Sequence, residues 1–341
     1  MTNQTIVLAS RPQGLPTAAQ FRFEADEVPA PQSGQLLLKT LYVSVDPYMR
    51  GRMNEGKSYV PPFAVGEPLN GGIVAEVVAS QHEQFPVGTV VVGNLPWRLY
   101  NASDGRGLQA VPADAAPLSY FLGLLGMPGL TAYFGLLDIC RPQPGETVVV
   151  SGAAGAVGTV VGQLARLHGA RVVGTAGSDE KVRYLKEQLG FDEAINYKTA
   201  PSLRQALAAA CPAGVDCYFD NVGGPISDAV YSLLNKHARI ALCGQISSYN
   251  ATETPVGPRP EVKLLQSSAL MKGFIVSDYA ARNAEGIQAL LTWYREGKLQ
   301  FEETIVDGFE QIPAAFLGLF RGENTGKQLV RVAEYSGGKQ P

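Results

Sequence analysis

Histidine is scarce in this chain and cysteine is scattered. The 341 residues hold three histidines, His82, His168 and His237, and four cysteines, Cys140, Cys211, Cys217 and Cys243, none of them in a C-x-x-C pair. That spacing excludes a disulfide framework and a structural zinc cluster. The histidines read as solvated or packed side chains, with His168 and His237 at positions expected on helices. No uninterrupted apolar run is long enough to span a bilayer, and the opening MTNQTIVLASRPQG lacks a basic stretch followed by an apolar one. The expectation is a cytoplasmic protein with no membrane partner. A formal net charge of -3 provides no electrostatic basis for holding nucleic acid.

What is present describes an ordinary folded chain. Hydrophobic residues make up 45% and charged ones 17%, while 38 glycines and 23 prolines point to many turns. A chain of this length predicts two domains. Its centre is the stretch 146–181, ETVVVSGAAGAVGTVVGQLARLHGARVVGTAGSDEK. Val148, Val149 and Val150 suit a strand buried on both faces. Gly152, Gly155 and Gly158 make a tight turn, and Val157, Val160, Val161, Leu164 and Leu167 follow at the spacing of a packed helix. Val172 and Val173 open a second strand. Strand, glycine turn, helix and parallel strand within about 30 residues form a dinucleotide-binding unit, because backbone N–H groups approach a pyrophosphate only where side chains are missing.

The end of the second strand chooses the dinucleotide. An NAD site places an acid there for the ribose hydroxyls. Here the residues are Thr175, Ala176, Gly177 and Ser178, with Lys181 and Arg183 just beyond. Asp179 and Glu180 are better read as first-turn residues of a helix capped by Ser178. The missing acid and the nearby cations favour NADPH.

Residues 1–125 read as short strands, such as 35–39, 72–78 and 88–92, in a mainly β domain. Residues 126–300 alternate strands (216–219, 239–243, 273–276) with helices (202–210, 226–234, 284–296), predicting a doubly wound parallel sheet. A helix at 312–321 and a strand at 328–332 are expected to return to the first domain, and SGGKQP at the end reads as disordered.

With AAGAVG, FDNVGG and GKQLVRV in this order, the chain resembles the medium-chain dehydrogenase/reductase superfamily over nearly its full length. VDPYMRGRM (45–53), LGMPGLTAY (125–133), CGQISSYN (243–250) and FLGLFRGENTGK (316–327) resemble its zinc-independent alkenal and enone reductase branch. The resemblance implies an α/β fold: a Rossmann sheet (126–300) inserted into a mainly β GroES-like substrate domain (1–125 and 301–341). Zinc members carry a cysteine early and a Gly-His-Glu motif. Here Asp46 and Pro47 stand near the first site and Val65, Gly66, Glu67 near the second, so no metal is expected.

By the same resemblance, NADPH contacts extend from Gly152, Ala154, Gly155, Ala156, Val157 and Gly158 to Lys181, Tyr197, Asn221, Cys243, Gly244, Tyr249, Phe274, Ile275, Val276 and Asn324. Cys243 reads as a small packing residue rather than a reactive thiol. Without zinc, hydride addition to the β-carbon of an enone or enal needs donors for the enolate oxygen, and Tyr48 and Tyr59 are the candidates. Several eukaryotic members of the resembled branch carry a further tyrosine after the proline-rich loop that here runs PVGPRPE. In this chain Val262 to Ser268 contain none, which leaves water or the nicotinamide ribose as proton source. The substrate cleft is expected between the domains, with Tyr48, Tyr59, Pro62, Phe63 and Met127 on one side and Tyr249 on the other, lined for hydrophobic enones. A quinone reductase and a non-catalytic, crystallin-like NADPH-binding protein are the alternatives. An exposed edge at 273–276 predicts a homodimer.

Overall fold

In the computed structural model, which describes residues 2–337, the chain divides into two units. One holds the residues up to Leu122, Thr304–Glu323 and the segment from Gln328 on; the other holds Gly123–Glu303 and Asn324–Lys327.

The first unit opens with β1 (Thr2–Leu8) and β2 (Phe21–Glu27), paired antiparallel with Leu8 opposite Phe21. Then come β3 (Leu36–Ser44), the short helix α1 (Met49–Arg52), β4 (Asn70–Ser80), β5 (Val90–Pro96), β6 (Tyr100–Ser103) and β7 (Gln109–Ala110). β3 is the central strand, and its sequence LLLKTLYVS suits burial on both faces, with Leu36, Leu38, Leu41 and Val43 sealed from solvent. It pairs with β4 along one edge. Its other edge is shared by β6 at Leu36–Lys39 and by the chain's last strand at Tyr42–Ser44.

The second unit begins at α2 (Met127–Phe134), with Pro128 in the first turn, where a missing N–H costs nothing. β8 (Thr147–Val150), α3 (Gly158–Leu167), β9 (Arg171–Ala176), α4 (Asp179–Glu187), β10 (Glu193–Asn196), α5 (Leu203–Ala210), β11 (Val215–Asp220), α6 (Gly224–Tyr231), β12 (Leu234–Leu242), α7 (Glu261–Ser267), β13 (Leu270–Gly273) and α8 (Asn283–Arg295) follow. The strands lie in the order β10-β9-β8-β11-β12-β13, all parallel. The order runs outward in both directions from β8 and β11, so their carboxyl ends form the switch point where such sheets hold ligands. Val149, Val173, Val215, Tyr218 and Ile240 are fully buried in this unit's core, each aliphatic one stabilising by about 1.5–3 kcal/mol.

The chain closes with β14 (Glu303–Asp307), α9 (Ile312–Arg321) and β15 (Lys327–Arg331), which complete a seven-stranded sheet ordered β14-β15-β3-β4-β5-β7, with β6 as the seventh strand, beside β3. Ile312, Phe316 and Leu317 on α9 and Val330 on β15 enter the core formed by Ile6, Leu38, Ile73 and Trp97.

Several expectations need correction. The strand expected at 273–276 ends at Gly273: β12 sets the register, pairing Arg239 with Leu270 and Leu242 with Gly273. Phe274, Ile275 and Val276 therefore lie past the strand end. His237 sits in β12 with φ 65°, not on a helix. Leu167 is exposed at the end of α3 while Val160, Val161 and Leu164 are buried. Of the expected disordered tail, Ser336 is bonded to the Glu76 carboxylate through its hydroxyl and its amide, and 338–341 lie outside the described residues.

Candidate active site

The turn between β8 and α3 is built as the glycines require. Gly152 has φ 58°, a left-handed conformation that side chains disfavour. A Cβ on Gly158 would lie 2.4 Å from the Gly152 carbonyl oxygen and 2.7 Å from the Ala153 Cα, so only glycine lets α3 start so close beneath the turn. The side chains of Ala153 and Ala154 are buried, whereas Gly155, Ala156 and Val157 are half-exposed and form the open rim. The Gly326 amide donates to the Ala154 carbonyl (2.8 Å), and Asn324 Nδ2 donates to the Gly326 carbonyl (2.8 Å), so Asn324 stands beside the turn. This shape fits a pyrophosphate: a helix N-terminus under a rim without large side chains.

At the carboxyl end of β9, Ser178 caps α4, its hydroxyl accepting from the Lys181 amide (3.3 Å), and the Asp179 carboxylate accepts from Asn196 Nδ2 (2.7 Å). Asp179 is thus a helix-terminus residue, and no acid occupies the strand end. A Cβ on Gly177 would lie 3.1 Å from the Tyr197 hydroxyl and 3.5 Å from Lys198 Nζ. Burial, and after it the charge of Lys198, hold the half-buried Lys181 ammonium below its ordinary pKa. Lys181, Tyr197 and Lys198 therefore gather at one place, and a bound dianion would relieve the repulsion between the lysines. Lys198 was not foreseen, although it lies two residues past the end of β10, the neighbouring strand. Arg183 lies two positions after Lys181 on α4 and is exposed.

The β11 end is organised by Asp220, fully buried and also unforeseen. Its Oδ1 accepts from Ser151 Oγ (2.9 Å), the Tyr218 hydroxyl (2.9 Å) and the amides of Val222 (3.0 Å) and Gly223 (2.9 Å). Its Oδ2 accepts from Ser227 Oγ (2.6 Å) and Gln245 Nε2 (3.2 Å). Its carbonyl accepts from the amides of Cys243 (2.9 Å) and Gly244 (3.1 Å). One residue thereby ties the loop after β8, the loop after β11 and the loop after β12. Asn221 is fixed by the same network, donating through Nδ2 to the Ser151 carbonyl (2.8 Å).

Tyr249 folds over Gly244, where its hydroxyl would stand 3.1 Å from an added Cβ and accepts from the Gln245 amide (3.3 Å). Burial raises that hydroxyl's pKa. Burial, and then Asp220, push the Cys243 thiol up to about 12, which keeps it protonated as a packing residue. Phe274 packs edge-on to Phe219, centroids 6.2 Å apart, with Ile275 and Val276 half-buried beyond it.

In the first unit, Tyr48 precedes α1 and is half-buried in the core, while Tyr59 is 61% exposed. Burial first, then the Asp46 carboxylate, raise the Tyr48 hydroxyl well above its ordinary pKa, against Arg52, which lowers it. Phe63, expected to line the cleft, is 4% exposed and belongs to the core. Met127 belongs to the second unit, as the first residue of α2. Among the described residues no group of three His, Cys, Asp or Glu side chains is arranged to hold a metal ion, and no helix is long and apolar enough to cross a membrane.

Comparison with known proteins gives this geometry a family. A profile described as "N-terminal domain of oxidoreductase" matches residues 4–111, and one described as "Zinc-binding dehydrogenase" matches 156–292. YfmJ of Bacillus subtilis (strain 168), which carries the name of an NADP-dependent oxidoreductase, is 60% identical over 337 residues, 98% of this chain and 99% of its own. Prostaglandin reductase 1 of Rattus norvegicus is 49% identical over 96% of this chain and 98% of its own. The crystal structure of CurA in complex with NADPH from Vibrio vulnificus superposes with a TM-score of 0.93 at 46% identity, over 97% of this chain and 99% of that one. The chain is an oxidoreductase that belongs to the medium-chain dehydrogenase/reductase family, in the branch of prostaglandin reductase 1.

Proposed function

We propose that this oxidoreductase uses NADPH to reduce the carbon–carbon double bond of α,β-unsaturated ketones and aldehydes, with hydride added to the β-carbon and no metal. The observation that carries the reading is Tyr48: a half-buried hydroxyl, raised in pKa by burial and by Asp46, at the start of the short helix that ends in the buried Arg52, among described residues that offer no three-ligand metal group. Bound NADPH supplies the hydride. The rim from Gly152 to Gly158 receives the pyrophosphate, and Lys181, Tyr197 and Lys198 hold the 2′-phosphate. Asn221, Cys243, Gly244, Tyr249, Phe274, Ile275, Val276 and Asn324 border the rest of the cofactor.

Tyr48, with Tyr59 as a second hydroxyl, donates to the substrate's carbonyl oxygen, which gains negative charge as the β-carbon is attacked. A raised pKa suits that role, because the hydroxyl stays protonated at neutral pH. Helix α7, EVKLLQS, contains no tyrosine, so the α-carbon takes its proton from water or from a cofactor hydroxyl. The names of the relatives support NADP and the direction of reduction. The unpaired edge of β13, with Leu270 53% exposed, supports pairing with a second copy of the chain. The test is a substrate panel: the purified protein with NADPH should convert an aromatic enone to the saturated ketone faster than it reduces a naphthoquinone. An allylic alcohol as product, a marked preference for the quinone, or binding of NADPH without turnover would overturn the reading.

A further inference from the structure

Gly135 follows directly on α2 and opens a π-helical turn, Gly135–Cys140, in which the Arg141 amide donates to the Leu136 carbonyl five residues back (2.7 Å). Its backbone, φ −62° and ψ −39°, is one that any residue adopts, and glycine within a helix is less stabilising than alanine. Glycine is needed here for space. A Cβ on Gly135 would lie 2.5 Å from Cζ of Phe274, and 2.6 Å and 2.9 Å from Cε2 and Cζ of Phe219. Both rings therefore close on the bare Cα, edge-on to one another with their planes at 83°.

The same turn also holds the far end of the segment that starts at Phe274. Val276–Arg282 winds as a 3-10 helix, and Arg282 is ion-paired with Asp138 of the π-turn. Between the two ends, Tyr279 stacks on Phe134, the residue before Gly135 (centroids 4.6 Å apart, planes at 14°), and meets Phe274 edge-on (6.4 Å). Phe219 and Phe274 do not yield equally. Phe219 is fully buried on β11, with β8 and β12 on either side, whereas Phe274 is half-buried past the end of β13. In a close-packed interior a carbon added at Gly135 is accommodated by the looser neighbour, which is Phe274.

From this geometry we infer that Gly135 is the positioning residue for Phe274: the space left by its missing side chain is the seat of that ring, and the seat sets where the backbone of Phe274, Ile275 and Val276 runs. The inference rests on the reading above in which those three residues border the cofactor. π-Turns are found disproportionately at functional sites, and this one supplies both the seat for Phe274 and the partner of Arg282. A filled seat displaces the ring in the free protein, and NADPH then binds only against the strain of returning it.

The test is a double-mutant cycle in the full-length protein. Wild type, Gly135→Ala, Phe274→Leu and the double variant are compared by NADPH dissociation constant, thermal unfolding and amide hydrogen exchange. Gly135→Ala should weaken NADPH binding about tenfold, in the lower part of the range for overpacking a core. In the Phe274→Leu background, where no atom stands at the Cζ position, the same change should alter the affinity less than about twofold. Thermal unfolding separates this from a purely structural effect: the clash with Phe219 persists in both backgrounds, so Gly135→Ala should lower the melting temperature in both. If Gly135→Ala does not fold, Phe219→Leu added throughout the cycle removes the deeper clash and keeps the one at Phe274. An equal loss of affinity in both backgrounds would make Gly135 a structural residue only, and an unchanged affinity in Gly135→Ala would remove it from cofactor binding. NADPH that slows amide exchange nowhere in residues 274–282 of the wild type would overturn the reading of that segment and this inference together, whereas slowed exchange with an additive cycle overturns the inference alone.

Discussion

On the reading proposed above, cofactor choice rests on two lysines of unequal exposure, and that difference sets the expected worth of each. Lys181 is half-buried and Lys198 is exposed, both near the end of β9 where an NAD site would carry an acid. A hydrogen bond to a charged group contributes about 1.5–3 kcal/mol, and the burial of Lys181 keeps that bond from solvent screening. Lys181→Ala should therefore weaken NADPH binding roughly 10- to 150-fold and leave NADH nearly unaffected. Lys198, in open solvent, falls to about 1 kcal/mol, and its contribution should shrink as salt is added. The pair also couples binding to protons. Lys181 titrates below its ordinary value because of burial and then Lys198, and a phosphate dianion favours its charged form. Its pKa is thus raised on binding, and the affinity it contributes is complete below its free value and is lost as pH rises through the value in the complex. Titration of both cofactors by fluorescence or calorimetry at several pH values and two salt concentrations reads all of this. Equal losses for NADPH and NADH, or an NADPH affinity of Lys181→Ala that matches wild type, would refute the assignment.

Two further changes test the scaffold. Asp220→Asn keeps the shape but turns an amide N–H₂ toward groups that donate to a carboxylate, and should lower stability in urea by about 3 kcal/mol or more; a loss below about 1 kcal/mol would contradict the network described for the β11 end. Gly158→Ala forces a Cβ against backbone atoms of the turn and should cost on the order of 1–3 kcal/mol and abolish the rise in melting temperature that NADPH produces. Gly51→Ala, with nothing within 4 Å of the added carbon, is its control and should show neither effect.

The glycine unit was legible because its signals are local: a β-branched run, spaced glycines and a helical period fall within one stretch of chain. The end of the doubly wound sheet was less so. Phe274, Ile275 and Val276 read more strongly as a strand than LMKG, yet the register is dictated by β12, a partner that the local sequence does not show. β2 carries little strand signal, because most of its residues, RFEADE, are exposed. Lys198 and Asp220 share one cause of invisibility. Each is placed by groups distant in sequence: Lys198 beside Gly177, Asp220 between Ser151 and Gln245. Phe63 was misplaced because an aromatic in a proline-rich loop reads as a surface residue until Arg52 is seen lying across its ring.

The central claim is where the hydride goes, and isotope transfer reads that directly. The protein should be supplied with NADPH carrying deuterium at the transferring position of the nicotinamide, together with an aromatic enone in ordinary water. Deuterium found by NMR on the β-carbon of a saturated ketone, with ordinary hydrogen on the α-carbon, is the predicted result. Deuterium on the carbinol carbon of an allylic alcohol, with the double bond intact, would contradict the account.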